Sequence, residues 1–405
     1  MYPTTMRKSI KYFLLTLFTI VAFTASSQEH IAAREMPYFA FGKGIGMAPP
    51  DSSFLLNIRF RMQNRVAFNT GGEQLNVEDA EARIRRLRLR LDGFVYDPRL
   101  TYVIQFSFTR ADMDYDALGY PNIIRDAMIF YALTPKLTIG MGQTKLPGNR
   151  QRVNSSGDLQ FPDRSIVNGT FNVDRDFGIQ AFYSDHIGTV FYVLRGAASS
   201  GEGRNYNTTG DGLALTGRIE ILPFGKFMNN GDYFEGDLMR EPKPKVSIGL
   251  AVSSNQNALR SGGQLGTFLY EPRDINTTMA DFLLKYRGFA FASEWLKRTS
   301  PNPLTEDELG NIAYVYTGNG YTAQTSYLFK NNFEIAARYS EIVPNDIMDG
   351  REDRQRQYSM GVTRYIKGHR VKLQADGGYD QFFTVLEGTE LPDNWFIRFQ
   401  IELGI

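Results

Sequence analysis

From Arg86 to Leu91 the chain reads RLRLRL, and this strict alternation constrains the fold more than any other feature of the sequence. A period of two puts alternate side chains on opposite faces of a β-strand, here one basic and one apolar. The pattern recurs. Phe54, Leu56, Ile58, Phe60 and Met62 share one face, against Asn57, Arg59, Arg61, Gln63 and Arg65 on the other. Tyr102, Ile104 and Phe106 oppose Val103, Gln105 and Ser107, and Trp395, Ile397, Phe399, Ile401 and Leu403 oppose Phe396, Arg398, Gln400 and Glu402. No helical periodicity of comparable length interrupts them.

The breaks between such segments are sorted by length. Short turns fall at 96–100, 133–137, 184–188, 286–289, 330–332 and 366–370. Long polar connections fall between them, near 69–82, 110–125, 143–176, 198–212, 254–277, 298–312, 342–356 and 380–395. One connection departs from the rule: 223–244 occupies a short-turn position and is long. The alternation predicts sixteen antiparallel strands, eight long loops on one rim and seven turns on the other. That is the layout of an all-β transmembrane barrel of the outer-membrane type, with long extracellular loops and short periplasmic turns. A soluble sandwich has no reason to sort its loops this way. In such a wall an arginine at the bilayer midplane costs about 2–4 kcal/mol, so Arg86, Arg88 and Arg90 together set the register and face the lumen. Arg83 and Arg85 have the opposite parity. The phase therefore breaks at Arg85-Arg86, at a strand end or a β-bulge, and the first two arginines are expected at the extracellular mouth.

The N-terminus fits an exported barrel. Arg7, Lys8 and Lys11 precede an apolar run at Tyr12–Phe23 and the small residues Ala25-Ser26-Ser27, which is the pattern of a secretory signal peptide over 1–27. We expect 28–52 as a periplasmic lead-in, containing the mobile GKGIG run at 42–46, and 53–405 as the barrel, located in the outer membrane of a Gram-negative cell. Removing residues 1–27 leaves 42 Lys and Arg against 44 Asp and Glu, without the basic excess that nucleic-acid binding needs. The chain has no Cys and only His30, His186 and His369, far apart, so thiolate chemistry is excluded and a histidine metal cluster is not expected. Asp112, Asp114 and Asp116 begin like a calcium loop, but Ala117 and Ile123 stand where that loop needs Gly and Glu. No cofactor or resident metal is expected.

The longest connection, 142–178, mixes apolar anchors (Leu146, Leu159, Phe161, Ile166, Val167, Phe171) with Lys145, Arg150, Arg152, Arg164 and Arg175. A loop of that length and composition folds and packs, and the lumen is the polar cavity available to it. The run from RRLRLRLDG (85–93) through GQTKLP (142–147), FPDRSIVN (161–168) and RDFGIQ (175–180) resembles the phosphate-selective porin O/P family. The resemblance is clearest over 83–200. It implies a trimeric sixteen-stranded porin in contact with outer-membrane lipid and lipopolysaccharide. Its third loop would fold inward as the constriction, and its lumen-facing arginines would pass anions down a ladder. Two departures stand out: the last strand ends Leu403-Gly404-Ile405 instead of on an aromatic residue, and the chain without 1–27 is slightly acidic.

The expected function is passive diffusion of small anions, phosphate or similar, through a water-filled pore. Arginine suits the lining because it stays charged and offers planar donors to phosphate and carboxylate oxygens. Arg59, Arg61, Arg65, Arg86, Arg88, Arg90 and Arg218 are the candidates for the wall. Lys145, Arg150, Arg152, Arg164 and Arg175 are those for the constriction loop. The alternatives are a porin for sugars or organic anions, a plugged structural or adhesive barrel, and a barrel hydrolase. The hydrolase is disfavoured because His186 and His369 both fall in short turns, away from the long-loop rim where a catalytic pair is expected.

Overall fold

The computed structural model of the chain describes residues 38–40, 44–71, 77–206, 211–383 and 393–405; the expected signal peptide lies outside them. Sixteen antiparallel strands form the wall. The first eight are β1 (Phe54–Gly71), β2 (Val77–Val95), β3 (Asp97–Ser107), β4 (Ile124–Ala132), β5 (Leu137–Lys145), β6 (Arg175–Ile187), β7 (Val190–Ser199) and β8 (Ala214–Leu222). The second eight are β9 (Lys245–Arg260), β10 (Phe268–Tyr286), β11 (Phe289–Thr299), β12 (Gly318–Leu328), β13 (Phe333–Pro344), β14 (Arg354–Lys367), β15 (Val371–Phe383) and β16 (Asn394–Gly404). Each pairs with its sequence neighbour, and β16 closes on β1, for example through Ile401 opposite Asn64. Closure leaves no exposed sheet edge in the hydrocarbon.

The alternation read from sequence is the alternation of the wall. Ile129, Met141, Leu250, Val252, Phe399 and Ile401 point outward and are more than half exposed to the surroundings of the barrel. Arg61, Arg65, Arg86, Arg88, Arg218, Asp281 and Glu402 point inward and are buried in its filled interior. Tight turns close the short-turn rim; at Tyr286–Phe289 the central Arg287 and Gly288 both have positive φ (49° and 92°), the primed geometry that matches strand twist.

Two expectations change, and a third is resolved between its alternatives. The segment around GKGIG is not free throughout, because Gly44–Met47 forms a short strand on the β1 edge below the end of β16, Ile45 opposite Ile58. At Gly44 (φ +87°) a β-carbon would lie 2.3 Å from the Ile58 carbonyl oxygen, which accounts for glycine there. The connections expected at 69–82 and 254–277 are shorter than read, since β1, β2, β9 and β10 run on past the apolar belt. The phase break at Arg85-Arg86 is a β-bulge: Gln63 faces Arg86 and Asn64 faces Ile84, leaving Arg85 without a partner across the ladder.

Candidate functional site

The connection between β5 and β6 folds into the lumen. Leu146 N–H donates to the Asp174 carbonyl (3.0 Å) and draws its two ends together. Val167 and Phe171, on a short helix at Ile166–Phe171, pack with Leu146 and Val173 against Ala197, Ala251, Met279, Leu296 and Ile342 of the inner wall. Ser165 caps that helix by accepting from Asn168 N–H (3.1 Å). These apolar anchors explain why the loop leaves the rim: its hydrophobic face is buried only against the wall.

Cations from the wall then hold the loop by its carbonyl oxygens. Lys372 Nζ donates to Gly157 (2.9 Å) and Leu159 (2.7 Å), Arg298 to Thr170 (3.0 Å) and Asn172 (2.9 Å), and Arg218 to Gly148 (3.1 Å). Arg150, which starts a one-turn helix at Arg150–Val153, reaches the far wall at Asp281 (2.7 Å) and Ser247 (2.8 Å).

A second segment enters from the opposite rim. The exceptional connection 223–244 packs Phe227 on Leu222 and Leu283, and Lys285 Nζ donates to its carbonyls at Gly231 (2.6 Å), Phe234 (2.7 Å) and Gly236. It meets the constriction loop directly: Glu235 N–H donates to the Asp158 carbonyl (2.8 Å), and the Glu235 carboxylate accepts from Gln160 N–H (2.9 Å). His369, buried beneath it, lies 3.0 Å from the Glu235 carbonyl.

The expected arginines separate into groups. Arg59 and Arg90 share Asp92 low on the wall. Arg61 sits by Glu402 (3.7 Å) and donates to Ser156 (2.7 Å), and Arg88 is bound to Asp112 (2.5 Å). Arg218 lies on the opposite wall between Asp281 and Glu220 (2.6 Å each). In the loop, Arg152 pairs with Asp174 and Arg175 with Asp126 (3.0 Å). Lys145 donates to the carbonyls of Val153 (2.9 Å) and Asn154 (2.8 Å), and Arg164 to those of Gln151 (2.6 Å) and Asn154 (2.8 Å). Neither forms an ion pair with a described carboxylate. Burial and the neighbouring arginines lower the Arg164 guanidinium well below its ordinary value.

The most concentrated positive charge converges on a single loop residue. Asp163 accepts from Arg86 (3.0 Å), Arg85 (2.9 Å) and Arg65, with Arg398 at 3.6 Å, while Arg338 donates to its backbone carbonyl (3.0 Å). Burial would raise the Asp163 carboxyl, but these guanidinium groups outweigh it and hold it well below the usual carboxylate range. Arg85, expected at the mouth, is turned into this cluster by the bulge. Arg338 and Arg398 lie outside the arginines expected on the wall, although Arg398 has lumen parity. Arg338 is buried over the Phe161 ring (4.4 Å) with Nε and one terminal nitrogen unpartnered. Of the acidic run at 112–116, Asp112 is absorbed by Arg88 and Arg125 (3.3 Å) and Asp114 by Arg260 (2.7 Å). Among the described residues no cluster of metal-ligating side chains occurs.

Solved structures share this architecture. An anion-selective porin from Comamonas acidovorans superposes with a TM-score of 0.52 at 12% identity, covering 87% of this chain and 100% of that one. The outer-membrane channel DcaP of Acinetobacter baumannii gives 0.55 at 11% identity, covering 89% and 99%. OprB of Pseudomonas putida gives 0.53 at 11% identity, covering 86% and 94%. At these identities the likeness is one of fold. No curated protein matches the sequence. The family model described as phosphate-selective porin O and P matches residues 56–377, and over that span the chain, a closed sixteen-stranded barrel with its third loop in the lumen, belongs to that family of outer-membrane porins.

Proposed function

We propose that the protein passes small anions, phosphate among them, by passive diffusion through its lumen. The observation that carries this reading is the convergence of Arg65, Arg85, Arg86 and Arg398 on one carboxylate. Four guanidinium groups around a single anion-sized position make a site that a mobile oxyanion can share or take over. Arg338, with two buried guanidinium nitrogens unpartnered, extends the positive zone beyond the cluster, and several weak sites in series favour conduction over trapping. The expected export through residues 1–27, assembly as a homotrimer and contact with lipopolysaccharide belong to the same reading. The phosphate element leans on the description of the family and on the chemistry of arginine.

The test is the reversal potential of the protein in a planar bilayer under a KCl gradient, repeated with phosphate added. Anion preference with block by phosphate is the expected result. Cation preference would overturn the reading, and anion preference without phosphate block would reduce it to a general anion porin. The depth of filling by 142–178 and 223–244 favours a second reading, a plugged barrel. It predicts no unitary conductance in the same bilayers.

A further inference from the structure

The segment 223–244 fills the short-turn half of the lumen against β8–β11, and open space on that half remains along β3–β7. There a cavity of about 390 Å³ lies beneath the constriction loop, roofed by Leu146 and Pro147. Its volume lies within the range of small-molecule sites. Two features of its lining point to one class of occupant.

The first is charge. Lys145 and Arg195 both line the cavity, and neither has an ion-pair partner among the described carboxylates. Lys145 is held by two carbonyls alone. Arg195 gives one terminal nitrogen to Tyr233 Oη (2.5 Å), whose hydroxyl donates on to the Glu220 carboxylate, and its buried Nε has no hydrogen-bond partner. Arg88, Arg175 and Arg218 are each matched to a carboxylate, whereas these two cations face one open cavity with none of the described carboxylates within ion-pair distance, and together they favour a negatively charged guest.

The second is the apolar wall. Phe130 and Phe182 meet edge to face with centroids 5.8 Å apart, and the Arg195 guanidinium stands 5.8 Å from the Phe182 centroid. A hydrated inorganic anion would leave these rings against water. An aromatic carboxylate places its ring on the phenyl wall and its carboxylate on Lys145 and Arg195, satisfying both sets of groups at once.

We propose that this cavity is a binding site for a small organic carboxylate with a ring-sized apolar body, loaded from the short-turn side. The proposal rests on the reading of the lumen as an anion path and narrows it to a solute class.

The test is calorimetric titration of the full-length protein in detergent with phenylacetate, with phenylacetamide as the uncharged counterpart and with inorganic phosphate. Phenylacetate is expected to bind saturably and phenylacetamide at least about tenfold more weakly, the loss of one charge-assisted contact. Lys145→Gln should weaken phenylacetate by a similar factor. Phe182→Ala should weaken phenylacetate and leave phosphate unchanged, which also separates an organic-anion pocket from a general basic one. Absence of saturable phenylacetate binding, equal binding of the amide, or indifference to both substitutions would overturn the proposal. Because binding is read without current, a barrel that binds phenylacetate but does not conduct refutes the diffusion reading alone. A barrel that conducts anions but ignores phenylacetate refutes this inference alone.

Discussion

Replacing Asp163 by Asn removes the one negative charge on which Arg65, Arg85, Arg86 and Arg398 converge. The Asn amide retains one acceptor, and the loop keeps its other anchors at Lys372, Arg298 and Phe171. The change is therefore mainly electrostatic. An ion passing about 8 Å from the lost charge, with an effective dielectric between about 20 and 80, feels a change of about 0.5–2 kcal/mol. For an anion this is a gain of about 2- to 30-fold in occupancy, and the opposite penalty on a cation adds to it. The anion-to-cation permeability ratio should therefore rise at least about threefold, read as a shift of reversal potential toward the chloride equilibrium value under a KCl gradient. Asp163→Glu, which keeps the charge, should stay close to the parent. A large rise in unitary conductance with loss of selectivity would mean that the loop had detached. An unchanged reversal potential in a barrel with parental conductance would refute the reasoning, because it would place the permeating ions away from the cluster.

Other outcomes follow from the same geometry. Lys285→Met strips three carbonyls of their donor, so 223–244 should detach from β10 and unitary conductance should rise, with folding of the wall intact by heat-modified gel mobility. Phe171→Ala opens a cavity in the main apolar cluster and should cost about 3–5 kcal/mol, measured as a lower denaturation midpoint in guanidinium. The Asp163 carboxyl is depressed in the folded protein, so the stability it contributes is full above the ordinary aspartate value near about 4 and is lost as pH falls through its lower folded value. Loop closure should accordingly survive mild acid and weaken only in strong acid, followed as single-channel noise against pH.

Much of this was legible in the sequence because a barrel wall writes its environment in alternate residues. The two-faced strands, the sorting of loops by length and the inward constriction loop all stand in the structure, and Arg86 and Arg88 face inward as their parity requires. The family is one of channels, so the chain is not an enzyme, in keeping with the wide separation of its histidines. Strand ends are not legible in the sequence, for a physical reason. Beyond the bilayer a strand needs no apolar face, so the ladder of β9 and β10 continues where the periodic signal stops. The partner of the arginines was also missed: Asp163 looks like any loop carboxylate until β1, β2, β13 and β16, distant in sequence, are brought round it. The inward segment at 223–244 did leave a trace, as the one long connection where a short one belonged.

The paired state of the wall decides where selectivity resides. Arg59, Arg61, Arg88, Arg90, Arg175 and Arg218 each face a carboxylate, so their fields are largely cancelled within a few ångströms. Removing one of them takes a cation from its carboxylate, which costs up to about 3–5 kcal/mol where the pair is fully buried and nothing else matches the charge. Arg88→Gln should therefore lower stability, leaving Asp112 to Arg125 alone at 3.3 Å, and should make the local field less positive. Lys145 and Arg164 face only carbonyl oxygens. Neutralising either leaves no orphaned charge, so Lys145→Gln and Arg164→Gln should be milder in guanidinium unfolding, yet each should lower the anion-to-cation permeability ratio. The discriminating quantity is the ratio of the two effects in one protein. If Arg164→Gln destabilises the barrel as much as Arg88→Gln and leaves the reversal potential where it was, the unmatched cations are structural clamps and selectivity must come from the Asp163 cluster.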